Sequence, residues 1–166
     1  HKEGIDPHYW LSPRQALVLA QNTAKALSRI NPTKQEEYQQ NLQRLSARIH
    51  ALDSLATHHL APLQGKNFMI FHPALTYFAR DYGLNQIAIE KGGNAPTARG
   101  LKEFIDLAKK DEIKVIFIQK QFDRENAETI AREIGGQVVP FDPMAEDWET
   151  NLGEIIRLMH NALKAN

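Results

Sequence analysis

Val115-Ile116-Phe117-Ile118 is the most apolar run in the chain, four residues without a polar side chain between Lys114 and Gln119. A run apolar on both faces is what a central strand of a parallel sheet needs, because crossover helices cover both of its sides. On either side of it, strand and helix patterns alternate. Upstream, Phe68-Met69-Ile70-Phe71 predicts a short buried strand, residues 74–82 a helix stopped by Gly83, and residues 85–89 a second strand. Residues 98–110 then place Leu101, Phe104, Ile105 and Ala108 on one helical face. Downstream, a helix over 124–134 ends at Gly135-Gly136, and Val138-Val139-Pro140-Phe141 gives a fourth strand. Pro140 has no N–H for a ladder, so this strand is expected at an edge. A last helix, 149–164, buries Leu152, Ile155, Ile156, Met159 and Leu163. Four strands alternating with helices define an α/β fold, a four-stranded parallel sheet flanked by helices with right-handed crossovers.

The first third of the chain reads differently. Ser12-Pro13 has the form of an N-cap followed by proline at the first helical position. Leu17, Ala20, Ala24, Leu27 and Ile30 keep a helical period until Asn31-Pro32 stops it. A longer helix is expected from Thr33, whose hydroxyl can cap it, to about Pro62. Tyr38, Leu42, Leu45, Ile49, Leu52 and Ala56 form a narrow apolar seam along it. At 1.5 Å per residue such a helix is roughly 45 Å long, so it spans two lobes or projects from one.

Composition limits what such a chain can do. Its 166 residues are 42% hydrophobic and 24% charged, globular values with room for one substantial core. Twenty basic residues balance twenty acidic ones, which leaves no electrostatic footprint for nucleic acid and no polybasic membrane patch. No apolar run approaches the ~18 residues of a spanning helix. The absence of cysteine excludes disulfides, thiolate metal sites and a Cys nucleophile. With His1 first and no signal peptide, the sequence is expected to be a processed chain or a portion of a longer one.

In open α/β sheets ligands bind beyond the carboxyl ends of the strands. The residues just past the four strands are His72, Glu90, Gln119 and Asp142. An imidazole and two carboxylates converging there have the composition of a first-row metal site built from nitrogen and oxygen. His8, within Asp6-Pro7-His8-Tyr9-Trp10, is the other candidate ligand, or a packed loop residue. His58 and His59 read as surface residues because adjacent helical positions point about 100° apart. His50, His160 and His1 read as structural or solvated. Phosphate-cradling glycine loops, a G-x-S-x-G elbow and an H-E-x-x-H helix are all missing from the sequence.

Taken in order, these residues resemble the zinc- and manganese-binding solute-binding proteins of bacterial ABC importers. The likeness runs from Asp6-Pro7-His8-Tyr9-Trp10-Leu11-Ser12-Pro13 through Asn31-Pro32 and Tyr38-x-x-Asn41-Leu42. It continues in His72-Pro73-Ala74 with Tyr77-Phe78, in Tyr82-Gly83-Leu84, and in Ile116-Phe117-Ile118-Gln119, and closes with Phe141-Asp142-Pro143-Met144. The resemblance implies two α/β lobes joined by a long helix, with a metal buried between them. It makes residues 1–12 the tail of an N-terminal lobe, 13–62 a helical linker and 63–166 the C-terminal α/β lobe. By the same resemblance His8, His72 and Asp142 are metal ligands and a first histidine ligand lies upstream, while Glu90 and Gln119 remain pocket candidates from their places past the strands. The implied cargo is Zn²⁺, with Mn²⁺ the alternative, handed to an ABC permease from outside the cytoplasm, with a lipid anchor as one possible attachment. Two other readings fit the bare residues: a small α/β metal-dependent enzyme using His72 with Glu90 or Asp142, and an adhesin or interaction module. Without an N-terminal lobe the apolar seam is expected to favour self-association.

Overall fold

The computed structural model describes residues 6–90, 94, 96–121 and 124–164. The loop expected at Gly92-Gly93 and the terminal His1 lie outside them. Four parallel strands, β1 (Asn67–Ile70), β2 (Asn85–Ala88), β3 (Val115–Gln119) and β4 (Gln137–Phe141), form one sheet in the order β2-β1-β3-β4. The expected central strand is internal, and β4 is an edge, with Pro140 opposite Ile118.

The apolar runs of β1 and β3 resolve into two faces, as the two-residue strand period requires. Phe68, Ile70, Val115 and Phe117 face one core, where Phe68 and Phe117 meet edge-on at 5.9 Å. Met69, Ile116 and Ile118 face the other. Helices α4 (Ala98–Lys110) and α5 (Glu125–Glu133) cover this second face through Ala108, Ala127, Ile130 and Ala131. The first face packs against α3 (Thr76–Asp81), α6 (Trp148–Lys164) and the C-terminal half of α2 (Gln35–Leu60). Each large side chain buried this way contributes about 1.5–3 kcal/mol relative to exposure.

Helices α1 (Pro13–Ile30) and α2 pack on each other ahead of the sheet. Two local expectations change here. Thr33 does not cap α2: Pro32–Lys34 forms a 3-10 turn, the helix starts at Gln35, and the Thr33 hydroxyl donates to Asn31. Ser12 occupies the N-cap position of α1, but its hydroxyl donates to Asp81 and accepts no N–H from the helix. The seam along α2 also divides. Ile49, Leu52 and Ala56 are buried, whereas Leu45 is 39% exposed beside an open apolar groove of about 520 Å³ between α1 and α2.

A polar network joins α1 and α2 to the sheet domain. Asp81 accepts hydrogen bonds from Ser12 (2.7 Å) and Gln15 (2.9 Å), and its main-chain carbonyl accepts from Arg14. Asp53 on α2 accepts from Arg14 and from the Tyr82 hydroxyl. Burial pushes the Asp81 carboxyl up, but hydrogen bonds from Ser12, Gln15 and Arg80 outweigh it and hold the group below its ordinary value. A depressed folded pKa means stability that is present above the unfolded value, about pH 4, and is lost as pH falls through the folded one. Asp81→Asn is therefore expected to cost about 1–2 kcal/mol in urea unfolding at pH 7, and the difference should narrow at pH 3. A cost that stays constant between the two would show that the charge at Asp81 is not what the network uses.

Candidate metal site

The carboxyl edge of the sheet meets the segment ahead of α1 through two indoles. Trp10 Nε1 donates to the Pro143 carbonyl at 2.9 Å, and Trp148 Nε1 donates to the Trp10 carbonyl at 2.8 Å. A 3-10 turn, Tyr9–Leu11, with Leu11 in the core, completes the attachment. His8, immediately before that turn, is thereby held against the strand ends.

Each of the two candidate histidines sits on a carboxylate. His72 follows β1, and its Nδ1 lies 3.0 Å from Glu90 Oε2, a carboxylate only 6% exposed beyond β2. His8 Nδ1 lies 2.7 Å from Asp6 Oδ1, which also accepts the His8 main-chain N–H. The other Asp6 oxygen accepts from the Thr76 N–H at the start of α3. Burial raises the Asp6 carboxyl, but hydrogen bonds from His8 and Thr76 leave it below its ordinary value. A carboxylate oxygen is the acceptor in each pair, so Nδ1–H is the donor that fits both contacts and Nε2 is the ring nitrogen left to face an ion. Carboxylate–histidine pairs of this kind orient metal-ligating rings.

The rings themselves meet at a centroid separation of 5.4 Å and an interplanar angle of 82°. Two imidazoles sharing a tetrahedral ion at about 2.0–2.1 Å per nitrogen have centroids roughly 5 Å apart. Residues 64 positions apart in the chain are thus placed with the spacing that a shared ion requires.

The remaining candidates have different positions. Gln119, the last residue of β3 and 1% exposed, donates from Nε2 to the His72 carbonyl at 2.8 Å, so it fixes the loop that carries His72. Its Oε1 is buried without a hydrogen-bond partner among the described residues. Asp142 is engaged locally: Oδ1 accepts from Gln121 Nε2 and from the Met144 N–H, the geometry of a turn. The Met144 and Gln121 hydrogen bonds hold its carboxyl below the ordinary range. Among the described residues no third His, Asp or Glu joins His8 and His72 in a cluster able to hold an ion by itself. The sequence reading did not single out Asp6 as the partner of His8. The Asp-x-His spacing was the available signal, since two residues are enough for a carboxylate to turn back onto the ring.

A parallel α/β sheet with a helical pair ahead of it, and two carboxylate-backed histidines at the carboxyl edge, is the arrangement of a metal-binding solute-binding protein. The family model for ZnuA, zinc-uptake complex component A, periplasmic, matches residues 1–165, and the chain belongs to that family. It is 32% identical over 170 residues to the zinc-binding lipoprotein AdcA of Streptococcus pneumoniae serotype 4, an alignment covering 99% of this chain and 34% of AdcA. A crystal structure of ZnuA superposes with a TM-score of 0.92 at 40% identity, over 98% of this chain and 64% of that one. A zinc-bound ZnuA with residues 138–173 deleted superposes at 0.87 and 40% identity, over 95% of this chain and 60% of that one. The chain thus spans about a third of the length of AdcA and somewhat under two thirds of the ZnuA chains. Its family is one of uptake components, not of enzymes.

Proposed function

We propose that this chain captures a divalent metal ion, Zn²⁺ in the first place, through His8 and His72, as part of the extracytoplasmic binding component of an ABC importer. The observation that carries this reading is the pair of rings at shared-ion spacing, each with Nδ1 on a carboxylate. Two neutral nitrogen donors suit Zn²⁺, and imidazole also accepts other first-row ions, with Mn²⁺ the weaker alternative. Asp142 is the proposed oxygen ligand from this lobe, reached once its turn releases the carboxylate from Gln121. The rest of the coordination shell is proposed to come from the part of the relatives' length that this chain does not span. On the same reading residues 1–12 belong to an N-terminal lobe, 13–62 form the linker and 63–166 the C-terminal lobe, and a membrane permease receives the ion. The groove between α1 and α2, with Leu19 and Leu45 at its rim, then favours self-association when nothing covers it.

Titration of Zn²⁺ and Mn²⁺ into the metal-stripped chain, beside Glu90→Gln, tests the reading. Zn²⁺ is expected to bind saturably and more tightly than Mn²⁺. The variant removes a ring-orienting carboxylate and is expected to bind Zn²⁺ about 10–100-fold more weakly. Equal affinity in the two proteins would separate zinc binding from the His72–Glu90 pair and count against the assignment.

A further inference from the structure

At the opposite edge of the sheet, where α2 ends and chain enters β1, a second group of imidazoles comes together. His58 and His59 lie in the last turn of α2. The His59 and His160 rings meet at a centroid separation of 4.8 Å, and the His58 ring is 5.4 Å from that of His59. His160 belongs to α6, whose end is tied to the same edge by the Lys66 ammonium donating to the Leu163 carbonyl. None of these residues takes part in the His8–His72 site.

We propose that His59 and His160 form a second, lower-affinity binding site for a borderline divalent metal ion of the Zn²⁺ and Ni²⁺ class. His160 Nδ1 lies 2.9 Å from the His59 carbonyl oxygen. A carbonyl only accepts, so this nitrogen carries the proton and the lone pair of His160 sits on Nε2. The ring is thus fixed in a ligating tautomer by the main chain of the residue beside it. A separation of 4.8 Å is close to the roughly 5 Å of two imidazoles on one tetrahedral ion.

The charge environment is mixed and sets the expected strength. The last turn of α2 presents the partially negative end of a 26-residue helix, which favours a cation. Arg157, one turn before His160 on α6, opposes it. Only two protein nitrogens are supplied, and the other positions fall to water. Such a site is weaker than a closed one and indifferent to Mg²⁺, which requires oxygen ligands. His59, read from the sequence as a solvated surface residue, thereby acquires a partner on another helix that sequence spacing does not reveal.

The test separates this site from the other by removing the first. The full chain carrying His8→Ala and His72→Ala is titrated with Zn²⁺ and with Ni²⁺ while the imidazole proton resonances are followed by NMR. Saturable binding is expected, with the His59 and His160 resonances responding and Mg²⁺ without effect. Adding His59→Gln or His160→Gln should weaken it at least about tenfold, whereas His50→Gln, on the exposed face of α2, should not. Far-UV circular dichroism establishes that each variant is folded. Absence of saturation below about 1 mM, or affinity unchanged by either glutamine, would overturn the proposal. Because the first site is absent throughout, its failure as a cargo site leaves this outcome unaffected.

Discussion

Replacing His72 with alanine is expected to lower zinc affinity by more than about 100-fold. Loss of an orienting partner costs 10–100-fold, and loss of the ligating nitrogen itself must exceed that. Substitution also strands Glu90, a carboxylate 6% exposed whose Oε2 faces the His72 ring, so some stability is lost as well, about 1–3 kcal/mol. His72→Gln separates the two effects, since its amide can still donate to Glu90 while offering zinc no imidazole. The measurement is a competition against a chelator of known affinity, with His50→Ala as the surface control. The expected order is wild type, then His50→Ala indistinguishable from it, with both His72 variants far weaker. The residual weak step in those variants is the one assigned to His59 and His160. If His72→Ala and His50→Ala bound alike, His72 would not be a ligand.

The largest effect on stability is expected at Gly136. A Cβ built there lies 2.9 Å from the carbonyl carbon of Lys114 and well inside contact distance of its oxygen. That oxygen accepts the Gln137 N–H as β4 begins, so main chain, not a flexible side chain, must move. Gly136→Ala is expected to destabilise by about 3 kcal/mol, the upper end of overpacking costs. Gly135 provides the contrast. It takes a left-handed conformation, φ 62°, at the end of α5, but its Cβ position has nothing within 4 Å. Gly135→Ala should cost only about 1 kcal/mol, the ordinary penalty for that backbone region. Urea unfolding of the two variants decides it: equal midpoints would mean that β4 shifts freely away from Lys114. In the sequence the two glycines form one helix-stopping pair, and only the packing gives them different work.

Much of the fold was legible because its signals are local. The unbroken apolar runs at 68–71 and 115–118 located the strands, and Pro140 located an edge, since a missing N–H is tolerated only where no ladder needs it. Capping was legible in residue type but not in partner. Ser12 and Thr33 have hydroxyls suited to helix starts, and each instead donates to a side chain, Asp81 in one case and Asn31 in the other. The competition is decided by which acceptor the tertiary structure brings near, and Asp81 is 69 residues away. The same limit applies at the site. His72 could be selected as the residue past a strand, and His8 from its flanking residues, but their contact and the tautomer set by Asp6 depend on the packing of Trp10 against the β4–α6 connection. The pairing of the histidines at 59 and 160 carried no signal, because the two lie on different helices, 101 residues apart in sequence.

The two indole hydrogen bonds that seat His8 have an optical consequence. Trp10 and Trp148 are the chain's two tryptophans, and both belong to this one joint, with the Trp10 ring 5.4 Å from that of His8. Intrinsic emission excited at the indole band therefore originates entirely from the joint and from nowhere else in the molecule. The chain thus carries a built-in reporter of how this joint is packed, readable without any attached dye.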